Sequence, residues 1–366
     1  MSEVVFINPN LNSNKATKRY EFDIQNIDLS IVNAIRRVIL SDIPNIGFMG
    51  EEVGDIETSI TIDKNNGPLH NEFMKHRIGL IPIFFTEEEL ETFNEGDYEF
   101  SCDIKNTTKD MMNITTHHLK GKHQGVNIEE KELKRLFPVN EITKEPILIT
   151  RLRNNEELSF TAKIIKATSK LHSSFSPVSL CSFFFNVDDA KAKETKSILD
   201  KERAYQKNEF GDPTSIHFMI ETECNLSYTY IISKAFEILI DKIEEIHREV
   251  DVSNSSKVKI IKHTEIKNTF DLQIVNEDDT IGNLFQSLIY NRFIRNDNKV
   301  YGDKYNISYV GYVAPHPLDP KVNIRMTLKN DNVTPDEKEY VIVLKECCRL
   351  IEAELREVYN TWTRFN

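Results

Sequence analysis

Apolar residues at Ile31, Ala34, Ile35, Val38 and Ile39 recur at the three- and four-residue steps that gather side chains on one face of a helix. The same offsets return at Ile281, Leu284, Phe285, Leu288 and Ile289. Ser30 and Thr280 stand ahead of these stripes as N-caps. Asp28, Asp278 and Asp279 add negative charge where a helix dipole favours it. Before each stripe lies a strand-like run opening Phe-Asp-x-Gln, FDIQ from Phe22 and FDLQ from Phe270, and both helices carry an Ile-x-Asn step. The chain therefore writes one unit, a strand feeding a capped amphipathic helix, twice.

The ends of the two halves also match. Ile232, Phe236, Leu239, Ile243, Ile246 and Val250 step alternately by four and three, a heptad seam, and so do Leu344, Cys348, Ile351, Leu355, Val358 and Trp362. Amphipathic helices resemble one another without common descent, but the shared letters favour an internal repeat. The pattern predicts an α+β fold: an internal pseudo-dimer of two dimerisation domains, each a sheet plus helices, with a second domain inserted in the first half. The expected boundaries are 1–48 for the first half's opening, 49–176 for the insertion, 177–250 for its closing part, 251–256 for a polar linker and 257–366 for the second half. Within the insertion, YEFSCDIKN and ELSFTAKII read as strands and HHLKGKHQG as a polar loop, while residues 188–212 form a charged, exposed excursion.

Composition narrows the function. The net charge of −12 argues against a surface devoted to nucleic acid, which needs clustered Lys and Arg. The run IGLIPIFF falls far short of the roughly 20 apolar residues that cross a bilayer, and MSEVVFINPN lacks the basic start and apolar core of a secretion signal. A location inside a cell or a particle is expected. Five cysteines with no C-x-x-C pair point to free thiols. No phosphate loop, dinucleotide fingerprint or nucleophile elbow is present, and glycine, 12 in 366, leaves little room for a phosphate cradle. His117, His118 and His123 lack a metal-binding frame and read as solvated side chains. No catalytic residue, metal or cofactor is expected.

LSIVNAIRRVILSDIPNIGF with LHNEFMKHRIGLIPI resembles the alpha-like D or third subunit of multisubunit RNA polymerases, and EDDTIGNLFQSLI with VGYVAPHPLDPKVNIRM resembles its smaller L-type partner. The resemblance covers most of residues 19–85, 158–250 and 257–362. It implies a non-catalytic subunit of a DNA-directed RNA polymerase, a D/L fusion that serves as the platform on which the largest and second-largest subunits are organised. It further implies contacts with small zinc-binding N- and P-type subunits, no major direct nucleic-acid contact and no membrane. Fusion of the pair suggests a large DNA virus of eukaryotes, hence the virion and infected-cell cytoplasm; otherwise the nucleus is expected. Relatives often carry a zinc loop or an iron–sulfur module in the inserted domain, but only Cys102 and Cys181 lie near that region here, so both modules are expected to be absent.

The resemblance also assigns candidate contacts. The repeated stripes, with Phe236, Leu239, Ile243, Leu344, Ile351 and Leu355 of the seams, form the expected pseudo-dimer interface. Arg36 and Arg37, where the second copy has Gln286 and Ser287, cannot both lie on the buried stripe; the family places this pair against the second-largest subunit, and ordinary solvated charge is the other reading. His70, Phe73, His76 and Arg77 read equally as a large-subunit contact or as a helix cap and core wedge. His316 in PHPLDPK is either a neighbour contact or part of a rigid connection. A free-standing binding module that reuses the dimer fold is the main alternative function.

Overall fold

The computed structural model describes residues 4–14, 17–195, 197–222, 224–252, 255–295, 307–316, 318–329 and 337–365. The first half opens with β1 (Val5–Asn14), β2 (Thr17–Gln25), α1 (Leu29–Ser41) and the short β3 (Asn45–Gly47). The inserted part runs through β4 (Ile60–Asn65), α2 (Asn71–Gly79), α3 (Glu87–Glu91), β5 (Tyr98–Lys105), β6 (Met112–Thr115), β7 (Lys120–His123) and β8 (Val126–Asn127). It continues with α4 (Glu130–Leu136), β9 (Leu148–Leu152), β10 (Glu157–Lys163) and β11 (Ile165–Ala167). The first half closes with β12 (Val178–Phe185), the exposed α5 (Asp189–Glu194) and α6 (Ile198–Glu202), β13 (Ser215–Thr222) and α7 (Tyr228–Glu249). The second half holds β14 (Val258–Lys262), β15 (Thr269–Val275), α8 (Asp279–Ile289) with a π-helical turn over Tyr290–Ile294, β16 (Ile307–Val313), β17 (Lys321–Leu328) and α9 (Glu337–Phe365).

The two halves share one topology. The first sheet runs in the order β1-β2-β13-β12 and the second in the order β14-β15-β17-β16, so each strand has its counterpart in the same place. The strand-to-helix turn is also repeated: Asn26 and Asn276 both sit at φ 60°. Each donates its backbone N–H to the residue preceding the next strand, Asn26 to Thr214 and Asn276 to Pro320. Asparagine tolerates this left-handed conformation better than most residues, which explains its recurrence. Strand β1 was not anticipated from the sequence, and β7 occupies part of the stretch expected as a loop. Gly121 lets β7 pack closely, because a Cβ there would meet Ile128, Leu133 and Phe100 at 2.9–3.1 Å.

The register corrects one detail of the sequence alignment. Gln25 pairs with Ser215 at the start of β13 as Val275 pairs with Lys321 at the start of β17. Structural equivalence therefore sets Phe22 beside Leu272, and the shared Phe-Asp-x-Gln letters lie two residues out of step. A shift of two keeps every side chain on its own face of the sheet, so alternation alone could not reveal it.

The inserted part forms a five-stranded sheet, β4-β10-β5-β7-β8, and a two-stranded β6-β9 pair, while β3 pairs with β11. Helices α1, α7, α8 and α9 share one continuous core with the two repeated sheets, α1 on α7 and α8, and α9 on α7 and α8. Among the described residues no helix is long and apolar enough to cross a membrane.

Candidate assembly interface

Every expected interface residue is buried. Ile31, Ala34, Ile35, Val38 and Ile39 of α1 and Ile281, Leu284, Phe285, Leu288 and Ile289 of α8 lose nearly all solvent contact. So do Phe236, Leu239 and Ile243 of α7 and Leu344, Ile351 and Leu355 of α9. Burying a side chain of this size contributes roughly 1.5–3 kcal/mol before entropy is subtracted, and the helices spend it both on their own sheets and on one another. Trp362 of α9 reaches the opposite sheet, with its ring centroid 5.4 Å from Phe6 and 5.3 Å from Phe22.

Polar contacts set the orientation of the halves. Asp28 caps α1 through the Ser30 backbone N–H at 2.8 Å, and Asp278 caps α8 through that of Thr280 at 2.8 Å. Each cap is also met from the other half. Ser287 donates to Asp28 at 3.1 Å and Asn291 at 2.6 Å. Arg37 donates to Thr280 Oγ1 at 2.7 Å and to Asp278 at 3.4 Å. Burial works against the Asp278 charge, but the Thr280 hydrogen bonds and the Arg37 guanidinium hold its carboxyl below the usual range.

Arg37 is thus engaged within the chain rather than wholly directed outward, since the helix turn that carries it faces the N-terminus of α8. Arg36 stays half-buried and bonds only along its own helix, to Asn33 Oδ1 at 3.0 and 3.1 Å, among the contacts described. The linker differs from a plain tether too. Ser255 is buried; it donates to Glu249 at 2.6 Å and accepts from the Lys257 and Val258 backbone N–H groups. Ser253 and Asn254 lie outside the described residues.

A second surface gathers three of the four histidine-rich candidates. His70 is the N-cap residue of α2 and lies 4.5 Å, centroid to centroid, from the Phe73 ring, which is 59% exposed. His76 Nε2 lies 2.8 Å from Glu51 Oε1. Together with Gly50, Glu52, Thr58, Glu72 and Lys75 these residues line an open cleft of ≈ 450 Å³. Close approach of Gly50 to Gly79 shapes it: a Cβ on Gly79 would stand 2.9 Å from Gly50 Cα, and one on Gly50 2.8 Å from the Lys75 carbonyl oxygen. Arg77 is not part of this cleft. It donates to the Ile149 and Leu148 carbonyls at 2.9 and 3.0 Å, clamping α2 to β9.

Three further histidines make local contacts. His118 Nδ1 accepts from the Thr115 backbone N–H at 3.1 Å, and His123 stacks on Tyr98 at 4.2 Å. His316 Nδ1 accepts from the Leu318 N–H at 3.1 Å inside the turn between β16 and β17; Pro317 lies outside the described residues. Among the described residues no group of three or more His, Cys, Asp or Glu side chains is placed to hold a metal. The sequence reading missed Glu51 of the cleft and Glu277, which lies 3.1 Å from Lys242 of the other half, because acidic residues on loops carry no periodic signal.

Comparison with known proteins agrees with this geometry. Residues 21–243 and 269–361 each match the RNA polymerase Rpb3/Rpb11 dimerisation domain. The human DNA-directed RNA polymerases I and III subunit RPAC1 is 27% identical over 181 residues, covering 44% of this chain and 50% of that protein. The Arabidopsis thaliana DNA-directed RNA polymerases IV and V subunit 3B is 25% identical over 260 residues, covering 63% of this chain and 76% of its own length. The Rpo3 subunit of DNA-directed RNA polymerase from Methanosphaera stadtmanae is 24% identical over 195 residues, covering 51% and 66%. The chain spans about half the length of the human relative it matches. With two paired strand–helix units, reciprocally capped helices and a match to each half, the chain belongs to the RNA polymerase Rpb3/Rpb11 dimerisation-domain family.

Proposed function

We propose that this protein is a non-catalytic assembly subunit of a DNA-directed RNA polymerase. It joins the D-type and L-type roles in one chain and organises the largest and second-largest subunits for transcription. The observation that carries the reading is the pair of dimerisation domains packed on each other within a single polypeptide. Relatives named as polymerase subunits support it. Fusion makes the pairing effectively independent of concentration. Small zinc-binding N- and P-type subunits complete the proposed partners. In a large DNA virus of eukaryotes the subunit would act in the infected-cell cytoplasm and the virion, and in a cell in the nucleus.

Arg36 and the cleft side chains His70, Phe73 and His76 are the proposed large-subunit contact. Exposed aromatic and arginine side chains are the usual anchors of such interfaces. A tagged chain should recover both large subunits from its native source, and Arg36→Ala with Phe73→Ala should fold normally yet lose the second-largest. Recovery of neither subunit by the unaltered chain favours a free-standing binding module instead.

A further inference from the structure

The two halves repeat one backbone plan with their charges inverted. Aligning the capping aspartates, Asp28 with Asp278, sets Asp42 against Arg292. Aligning the helix seams, Phe236 with Cys348, Leu239 with Ile351 and Ile243 with Leu355, sets Lys242 against Glu354 and Glu244 against Arg356. In the first half Lys242 Nζ lies 2.8 Å from Asp42 Oδ2. At the equivalent place in the second half Arg292 Nη2 donates to Glu354 Oε2 at 2.8 Å. One bridge thus ties the end of the first repeat helix to the long helix in both halves, with its polarity reversed.

Two contacts carry that inversion across the interface. Lys242 also lies 3.1 Å from Glu277 Oε2, and the Glu277 side chain is 4% exposed. The position equivalent to Glu277 in the first half is occupied by Ile27, which is itself buried. On the facing long helices Glu244 bonds Arg356, its own counterpart.

We infer that these inverted charges make each half accept the opposite half and reject a copy of itself. Two second halves would bring Glu354 to the place of Lys242, against a buried Glu277 whose remaining cation, Lys257 of its own half, stands 3.6 Å away, and would set Arg356 against Arg356. Two first halves would set Glu244 against Glu244 and leave Lys242 over Ile27. Two carboxylates sharing a buried site cannot both stay ionised without loss, and such a clash against the wrong partner discriminates as effectively as a good contact with the right one. The apolar stripes cannot make this choice, because both halves present the same pattern to the interface. The inference is independent of the polymerase reading, since no large subunit enters its test.

A protease site inserted between Ser253 and Asn254 allows the folded full chain to be cut into its halves. The cut protein is unfolded in denaturant, refolded and weighed by native mass spectrometry. Mixed pairs should predominate, with pairs of second halves a minor species. In the cut protein carrying Glu277→Ile and Arg356→Gln, pairs of second halves should rise about tenfold, the change that corresponds to ~1.4 kcal/mol. Statistical mixing in the unaltered protein, or no rise in the variant, overturns the inference.

The uncut chain supplies a second measurement that does not depend on refolding separate halves. Asp42→Arg with Lys242→Glu copies the reversed bridge but leaves it facing Glu277, and should lower the urea midpoint. Adding Glu277→Ile reproduces the surroundings of Arg292 and Glu354 and should recover most of that loss. A triple variant no more stable than the double overturns the inference as well.

Discussion

Arg37 and Ser287 stand at equivalent positions of the two repeat helices, and each reaches across to the aspartate that caps the other helix. The contact is reciprocal although the residues differ. It ties the helix N-termini, where backbone N–H groups lack partners, to the pairing of the halves. Helix capping and association are therefore coupled in this protein.

Arg37→Ala should cost about 0.5–1.5 kcal/mol, the range for a single hydrogen-bonded contact at a partly exposed site. Asp278→Ala should cost about 1 kcal/mol as a lost N-cap. Urea denaturation of both single variants and the double should show a smaller combined loss than the sum. Strict additivity would mean that the two side chains do not interact in solution.

The apolar stripes predict a much larger effect. Leu284→Asp or Phe285→Asp places an unpaired charge in a fully buried site and should cost several kcal/mol, enough to abolish soluble expression. A soluble variant with the wild-type melting temperature would remove this face from the core.

Asp42 makes stability depend on acid pH. Burial opposes its charge, but hydrogen bonds from Lys242, Ser41 and Lys170 outweigh it and hold the carboxyl below the usual range. Burial likewise opposes the Lys242 charge, yet Glu277 and Asp42 keep its pKa raised. A carboxylate with a depressed folded pKa contributes stability above its unfolded value of about 3.9, and that contribution disappears as pH falls through the folded value. Asp42→Asn should thus cost about 1–3 kcal/mol at pH near 7, and the gap from wild type should narrow below pH ~4. Denaturant midpoints at the two pH values measure it; an unchanged gap would take the charge out of the account.

The cysteines offer a test of the core itself. Burial pushes Cys102, Cys181 and Cys348 up to about 12 and Cys347 well above the ordinary thiol value, with the Arg36 guanidinium opposing the shift at Cys181. Only a thiolate reacts readily. Thiol titration of the native protein at neutral pH should therefore detect Cys224, which is half-buried, and reach all five only after unfolding. Rapid labelling of Cys347 or Cys348 would mean that α9 opens from the core.

The repeated helices, the two heptad seams and the α+β plan were legible in the letters, because each rests on a local period. The strands of the insertion at Tyr98–Lys105 and Glu157–Lys163 were legible for the same reason. Strand β1 was not, although the short run VVFI gave a signal: its first residues pair with Gln25 and Ile24 only once β2 is in place beside them. Only folding sets where Arg37 and Arg77 point, since arginines are alike in sequence and differ only in which backbone or cap lies within reach. It also decides that Asp42 meets Lys242 and that Arg292 meets Glu354. A charge has no period, and its role depends on the distant residue that folding brings beside it.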